Sequence, residues 1–225
     1  MVLVILLIVL AVVFGPYLWC RWVIAAHQDD RPDFPGTGGE LARHLLDEAG
    51  LGNVAVETTS DGDHYDATAK AVRLLDQHHD GRSLAAVVIA THEVGHALQD
   101  RDGYQPLKRR HTLVRATQGI ERLGSVVMLA APALGLLSRS PVLMLAIAGV
   151  GLLTLGIRVA VHFATLPVEF DASFNRALPI LDRGGYLPPR DIPAARRILN
   201  AAALTYVAAS LATLLNLWRW IRVLR

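Results

Sequence analysis

Four uncharged apolar blocks interrupt an otherwise polar chain. They are Val2–Cys20, Leu123–Leu137, Pro141–Ile157 and Ala201–Trp218. A helix needs about 20 mainly apolar residues to cross the hydrocarbon of a bilayer, and the first block reaches that length. The second and third blocks are shorter and are separated only by residues 138–140, which predicts a transmembrane hairpin with a very short loop. The alternative for this pair is a buried hairpin in a soluble core.

The flanks of the two terminal blocks refine this prediction. Met1 leads directly into apolar residues without a basic segment, and no small-residue cleavage site follows, so an uncleaved anchor is favoured over a signal peptide. The last block is rich in alanine and runs into a tail of alternating Trp and Arg residues, so it either crosses the membrane or lies along its surface. The pattern predicts a mainly α-helical integral membrane protein with three or four transmembrane helices.

The polar stretch 26–122 predicts a small α+β portion. Thr37 and Glu40 form a capping-box pattern that opens one helix. Ser83 is the expected N-cap of a second helix, which continues to about Gln99 and begins with a run that is apolar all round. This second helix is therefore expected to be buried.

Two short strands, Val54–Glu57 and Ala71–Leu75, are predicted between these helices, joined through a turn at residues 59–63. Ala71–Leu75 directly precedes the buried helix. It is a candidate for the rim of a peptide-binding cleft, where a substrate would add to the sheet edge, and an ordinary edge strand is the alternative.

Composition narrows the function classes. Apolar residues make up 52% of the 225-residue chain, and the formal net charge is +2. The basic residues cluster beside apolar blocks and form no groove with aromatic side chains, so no nucleic-acid partner is expected. Cys20 is the single cysteine, which excludes an intramolecular disulfide.

The motif that carries chemistry is His92-Glu93-Val94-Gly95-His96. Residues i and i+4 lie on one face of a helix, so both imidazoles can reach a single tetrahedral Zn²⁺. Glu93 is then placed to act as general base on a water molecule. The alternative is a pair of surface histidines on a helix, but two histidines and a glutamate on a buried helix need a partner, and a cation supplies one.

A third ligand must come from elsewhere in the chain. Gln99 and Asp102 stand where metzincins have Gly and His, which excludes that class. The glutamates downstream of the motif are Glu121 and Glu169. Topology favours Glu169, because two membrane crossings return the chain to the side on which the motif lies. The alternative role for Glu169 is a membrane-boundary carboxylate with an arginine partner. Glu121 lies beside Arg122 and can simply pair with it.

Several other polar residues remain open. His78 and His79 with Asp80 suggest a second metal site, although they precede a turn and are expected to be solvated. Arg158 and His162, near the end of the third apolar block, either line the site or reach toward lipid headgroups. The residue that stabilises the oxyanion is not fixed by sequence, and the candidates are Tyr104, His162, Arg176 and Tyr206.

Further segments resemble one known family over most of the chain, the YugP-like membrane-anchored neutral zinc metallopeptidases. The matching stretches are Asp63–Asp66, Gly81–Ser83, Ala90–Gln99, Gly103–Tyr104 before Pro106–Leu107, Thr165–Ser173 and Leu199–Ala209. This resemblance implies a gluzincin-like site in which His92, His96 and Glu169 hold zinc and Glu93 is catalytic. The segment from Glu169 to Ser173 also resembles the E-x-x-A-D element of HtpX-like membrane proteases, with Ser173 in place of the Asp.

Basic residues predict the orientation. Of 22 Lys and Arg, eighteen lie in residues 21–122 and 158–197, on the same predicted face as the motif. The positive-inside rule then places the site in the cytoplasm, in a protein of the cell membrane.

The expected function is a membrane-bound zinc metalloendopeptidase that uses one Zn²⁺ and acts on polypeptides, membrane proteins among them. The alternatives are a non-catalytic scaffold or adaptor stabilised by metal, and a zinc hydrolase of a non-peptide amide or ester. The expected organisation is one membrane-integrated domain: an anchor (2–20), a catalytic portion (26–122), a hairpin (123–157), a third-ligand segment (158–200) and a last helix (201–218).

Overall fold

The computed structural model describes residues 2–138 and 140–204, and these are mainly helical with one small sheet. The helices are α1 (Val2–Ala25), α2 (Gly38–Glu48), α3 (Asp76–His79), α4 (Leu84–Arg101), α5 (Gln105–Ser138), α6 (Pro141–Phe170), α7 (Leu178–Arg183) and α8 (192–204). A π-helical turn, Asp171–Ala177, joins α6 to α7, and a 3₁₀ turn, Pro189–Asp191, precedes α8. The strands are β1 (Ala55–Thr59), β2 (His64–Asp66) and β3 (Ala71–Leu75).

Both predicted helix starts are confirmed. The Thr37 hydroxyl accepts a hydrogen bond from the Glu40 amide at 3.2 Å, and the Glu40 carboxylate accepts one from the Thr37 amide at 2.8 Å. Ser83 caps α4 by accepting from the Ala86 amide at 3.0 Å. Each cap satisfies amides that the first helical turn leaves unpaired, a contribution of about 1 kcal/mol.

The sheet differs from the prediction. Its strand order is β1-β3-β2, with β1 parallel and β2 antiparallel to β3. Ala71–Leu75 is therefore the central strand, and its prediction as an edge strand is wrong. The connection between the two predicted strands contains β2, which pairs with the other side of β3 and leaves β1 to pair in parallel. The buried side chains of Val72 and Leu74 fit this central position.

Helix α4 runs through the centre of the polar half of the molecule. Most of its residues are buried, as the sequence predicted. It packs against α2, the sheet and the π-helical turn. Gly95 lets α4 approach the π-helical turn closely, because a Cβ atom there would lie 2.9 Å from the carbonyl oxygen of Ala172.

Helices α5 and α6 form the predicted hairpin and extend well beyond it. Ser140 caps α6, accepting from the Leu143 amide at 3.4 Å. The two helices touch closely at Gly124, where a Cβ atom would lie 2.2 Å from the Thr154 hydroxyl oxygen. Neither helix breaks at the boundaries predicted at 122/123 and 157/158.

The hairpin carries large apolar side chains on its outside. The most exposed are Leu123, Val126, Leu129, Val142 and Leu145. By length and composition, one helical stretch among the described residues could cross a membrane, Pro141–Arg183, with a mean hydropathy of 2.2 over its most apolar window. The first apolar block is helical, as α1, and the last lies mostly outside the described residues. Three or four membrane crossings therefore remain a prediction.

Candidate metal centre

Helix α4 presents His92, Glu93 and His96 at one buried place. The two imidazole rings meet edge to face, with ring centroids 4.7 Å apart. All three residues are less than 9% exposed. The i, i+4 spacing alone brings the rings together, as the sequence predicted.

Glu169, at the C-terminal end of α6, completes a cluster with these histidines. Its Oε2 atom lies 3.2 Å from His92 Nε2 and 3.3 Å from His96 Nε2, and the residue is 1% exposed. One ligand atom from each of the three residues falls within 4.8 Å of the others. Among the described residues this is the one such group of three metal-ligating side chains, and Glu121, on α5, is not part of it.

The π-helical turn after α6 supplies a hydrogen-bond partner to Nδ1 of His92, the ring nitrogen that faces away from Glu169. Ser173 Oγ lies 3.1 Å from His92 Nδ1 and 3.4 Å from the carbonyl oxygen of Leu199. Because that carbonyl can only accept, the hydroxyl donates to it and accepts from the protonated His92 Nδ1. In the neutral ring, the Nε2 atom that faces Glu169 then carries a lone pair. Ser173 thus fixes the tautomer of His92, from the position at which the HtpX-like element has an Asp.

Gln99 does the same for the second histidine. Its Oε1 atom lies 3.0 Å from His96 Nδ1, while its Nε2 donates to the Val168 carbonyl at 2.7 Å and to Asp171 Oδ2 at 2.9 Å. Both amide hydrogens are occupied, so the amide cannot flip without breaking two bonds. The ring of His96 is therefore also held with Nδ1 as donor and Nε2 toward Glu169.

The electrostatics fit a cation. Burial raises the pKa of the Glu93 carboxyl. Burial opposes the charge of the His96 imidazole, but the charge and hydrogen bond of Glu169, with further help from Glu93 and Gln99, raise its pKa to about 9. This place therefore favours a positive charge, which a metal ion would supply instead of the proton on Nε2. Within the described residues, Glu169 Oε1 is buried without a hydrogen-bond partner. Two imidazole nitrogens and a buried carboxylate are the donor set that Zn²⁺ prefers, with positions left for water and substrate.

A pocket of about 260 Å³ opens onto this cluster. Besides the cluster itself, residues of the β2 strand and of the first turns of α5 line it, among them His64, Tyr65, Arg110 and His111. Ile24 of α1, Leu107 of α5 and Ala202 of α8 add apolar walls. Helices that contain or lead into the apolar blocks therefore enclose the polar site on several sides.

Sequence reasoning missed Arg110 and His111 and named other candidates for the oxyanion. Arg110 Nη1 lies 4.0 Å from Glu169 Oε1. Arg110 stands in a run of three basic residues, 108–110, so no local signal distinguishes it from its neighbours. Tyr104, His162 and Arg176 do not line the pocket, and Arg176 is bound to Asp102 and Asp171. Tyr206 lies outside the described residues.

His78, from the pair considered for a second metal site, has a structural role. The expectation that both rings are solvated is wrong for His78, which is 2% exposed and lies with Nδ1 2.8 Å from Asp63 Oδ2. The other carboxylate oxygen of Asp63 accepts from the Leu75 amide at 2.8 Å. This pair ties the turn before β2 to the end of β3, and His78 belongs to no three-residue metal cluster among the described residues. The side chain of Arg158 is outside the described part.

Comparison with known proteins agrees with this geometry. Residues 2–225 match the family described as "Putative neutral zinc metallopeptidase". The chain is 37% identical over 189 residues to the "Putative membrane protease YugP" of Bacillus subtilis (strain 168), covering 83% of this chain and 80% of that protein. No solved structure matches. The chain belongs to this family.

Proposed function

We propose that this protein is a membrane-bound zinc metalloendopeptidase with a single Zn²⁺ held by His92, His96 and Glu169. The observation that carries the proposal is the convergence of these three buried side chains from α4 and α6, with Glu93 beside them. The hydrogen bonds that Gln99 and Ser173 accept from the two Nδ1 atoms support it, because they direct both Nε2 atoms toward Glu169.

The chemistry follows from the side chains around that point. A bound Zn²⁺ supplies a Lewis acid that lowers the pKa of water toward neutrality and polarises a carbonyl. Glu93 accepts a proton from the attacking water as the new C–O bond forms and the carbonyl π electrons move to oxygen. When the C–N bond breaks, Glu93 passes that proton to the leaving amine.

The substrate is expected to bind along β2. Within the described residues this strand pairs with β3 on one side only. His64 and Tyr65 of β2 line the metal pocket, and the Tyr65 hydroxyl donates to Asp100 of α4 at 2.8 Å, which fixes the strand against the metal helix. An extended peptide that adds to this edge would pass the cluster with its backbone hydrogen bonded.

The membrane setting is part of the proposal. The relative from Bacillus subtilis is named a membrane protease, and the hairpin exposes a long apolar surface. The distribution of Lys and Arg favours a cytoplasmic site at the cell membrane. Membrane proteins that present an extended segment near the bilayer are suitable substrates.

Replacement of Glu93 by Gln tests the catalytic assignment. The purified, zinc-loaded Glu93→Gln protein should keep its zinc, because this residue is not a ligand, while cleavage of casein should fall by orders of magnitude. His92→Ala should instead lose both zinc and activity. Equal cleavage by wild type and Glu93→Gln would refute the mechanism.

A further inference from the structure

The metal pocket needs a hydrogen-bond donor that can meet a negatively charged oxygen. Hydrolysis of an amide turns the carbonyl oxygen into an oxyanion, and a peptide can also bring its own terminal carboxylate. Outside the predicted ligands and Glu93, the lining side chains with N–H or O–H groups are His64, Tyr65, Arg110 and His111.

Two of these four groups are already committed. His64 Nδ1 lies 2.8 Å from the carbonyl oxygen of Gly62. A carbonyl only accepts, so Nδ1 carries the hydrogen and Nε2 of the neutral ring can only accept. The Tyr65 hydroxyl donates its one hydrogen to Asp100. While these bonds hold, neither Tyr65 nor the neutral form of His64 can donate to a substrate oxygen.

The two residues on α5 differ in charge. Burial lowers the pKa of the His111 imidazole, and the neighbouring cation of Arg110 lowers it further, so this ring is uncharged at neutral pH and offers at most one N–H. The Arg110 guanidinium is always charged and has five N–H donors. Its Nη1 atom lies 4.0 Å from Glu169 Oε1, so the guanidinium reaches the edge of the three-residue cluster.

We propose that Arg110 binds the negatively charged oxygen of the substrate in the metal pocket. This inference rests on the proposed function. Arg110 is the one arginine or lysine among the described residues that line the pocket, so its permanent charge attracts an anion there. The anion is either the oxyanion that forms during hydrolysis or the terminal carboxylate of a peptide.

Kinetics with two matched peptides separate these sources. One quenched fluorescent peptide has blocked termini, and the other carries a free C-terminal carboxylate. If Arg110 binds the oxyanion, Arg110→Gln lowers kcat on both peptides by about 10²–10³-fold with little change in KM. If it binds the carboxylate, only the free acid is affected, with KM raised by roughly 10- to 100-fold.

The controls are a neighbouring arginine and the zinc content. Arg109→Gln removes an exposed charge from the same turn of α5 and should change neither peptide's kinetics. Arg110→Gln should retain full zinc. Loss of zinc from Arg110→Gln would mean that Arg110 only supports Glu169. An equal loss of activity in Arg109→Gln would mean that the effect comes from overall positive charge and not from a contact specific to Arg110. Either result overturns the proposal.

A binding measurement keeps this inference separate from the peptidase assignment. A phosphonate peptide carries a negative oxygen and is not hydrolysed, so calorimetry with the zinc-loaded proteins reports anion binding alone. We expect at least roughly tenfold weaker binding to Arg110→Gln than to wild type. If wild type cleaves no peptide yet shows this difference, the peptidase assignment fails and the role of Arg110 stands. If Arg110→Gln binds the phosphonate as wild type does, or wild type does not bind it, the role of Arg110 is refuted.

Discussion

The two ends of α6 have opposite surroundings although they belong to one continuous helix. Near its start, Val142 and Leu145 are 77% and 74% exposed. Near its end, Val168 and Glu169 are at most 1% exposed, and the π-helical turn that follows supplies the Ser173 hydroxyl as a hydrogen-bond partner to His92. Hydrocarbon does not pair with backbone or side-chain polar groups. Polar chemistry therefore concentrates where α6 enters the packed protein, while the exposed apolar start of α6 is the part that suits hydrocarbon.

The largest effect is expected from the carboxylate at the buried end. Glu169→Gln removes the charge that both imidazoles face at 3.2 and 3.3 Å. Zinc affinity should fall by orders of magnitude, because a neutral amide is a much weaker ligand for Zn²⁺ than a carboxylate. Competition with a zinc chelator measures the change.

Glu121→Gln is the matched control, since Glu121 is the other downstream glutamate and lies on α5, outside the cluster. It should keep wild-type zinc affinity. If the two variants bind zinc equally well, the proposed third ligand is wrong.

A smaller effect is expected from the hydrogen bond behind the ligand. Ser173→Ala leaves His92 Nδ1 without its acceptor at 3.1 Å, so zinc affinity should fall by roughly 10- to 100-fold. Ser173→Thr keeps the hydroxyl and should recover most of the affinity. Asn175→Ala, on the same π-helical turn but exposed and bound only to Asp171, should have no such effect. Equal affinities for Ser173→Ala and Asn175→Ala would show that the hydroxyl does not tune the ligand.

The smallest effects come from a matched pair of valines on α6. Val168→Ala removes buried apolar volume and should lower the free energy of unfolding by about 2 kcal/mol. Val142→Ala removes exposed surface and should change it by less than about 0.5 kcal/mol. Denaturant titration in detergent micelles measures both. A Val142→Ala cost as large as that of Val168→Ala would mean that another protein surface, and not lipid, covers the outer end.

The sequence predicted the features that depend on local spacing. The caps at Thr37 and Ser83 need only residues three apart, and the pairing of His92 with His96 needs only one helical turn. Glu169 required one further argument, that two crossings return the chain to the same side. The identity of these residues as ligands remains a prediction of the sequence, supported by their geometry.

The remainder depends on contacts between distant segments. A three-residue strand such as β2 carries too little pattern to reveal that it occupies the far side of β3. The bonds of Gln99 and Ser173 exist only because α4 approaches the π-helical turn at Gly95. Arg110 is one of three consecutive basic residues, and of these three only Arg110 lines the pocket.

X-ray absorption at the zinc edge tests the central claim most directly. For the zinc-loaded wild-type protein we expect one ion per chain with two imidazole ligands at about 2.0–2.1 Å and oxygen in the remaining positions. In Glu169→Gln, any zinc that remains should keep its imidazoles and lose a carboxylate oxygen. A protein that binds no zinc after repletion, or a zinc site without two imidazoles, would contradict the account.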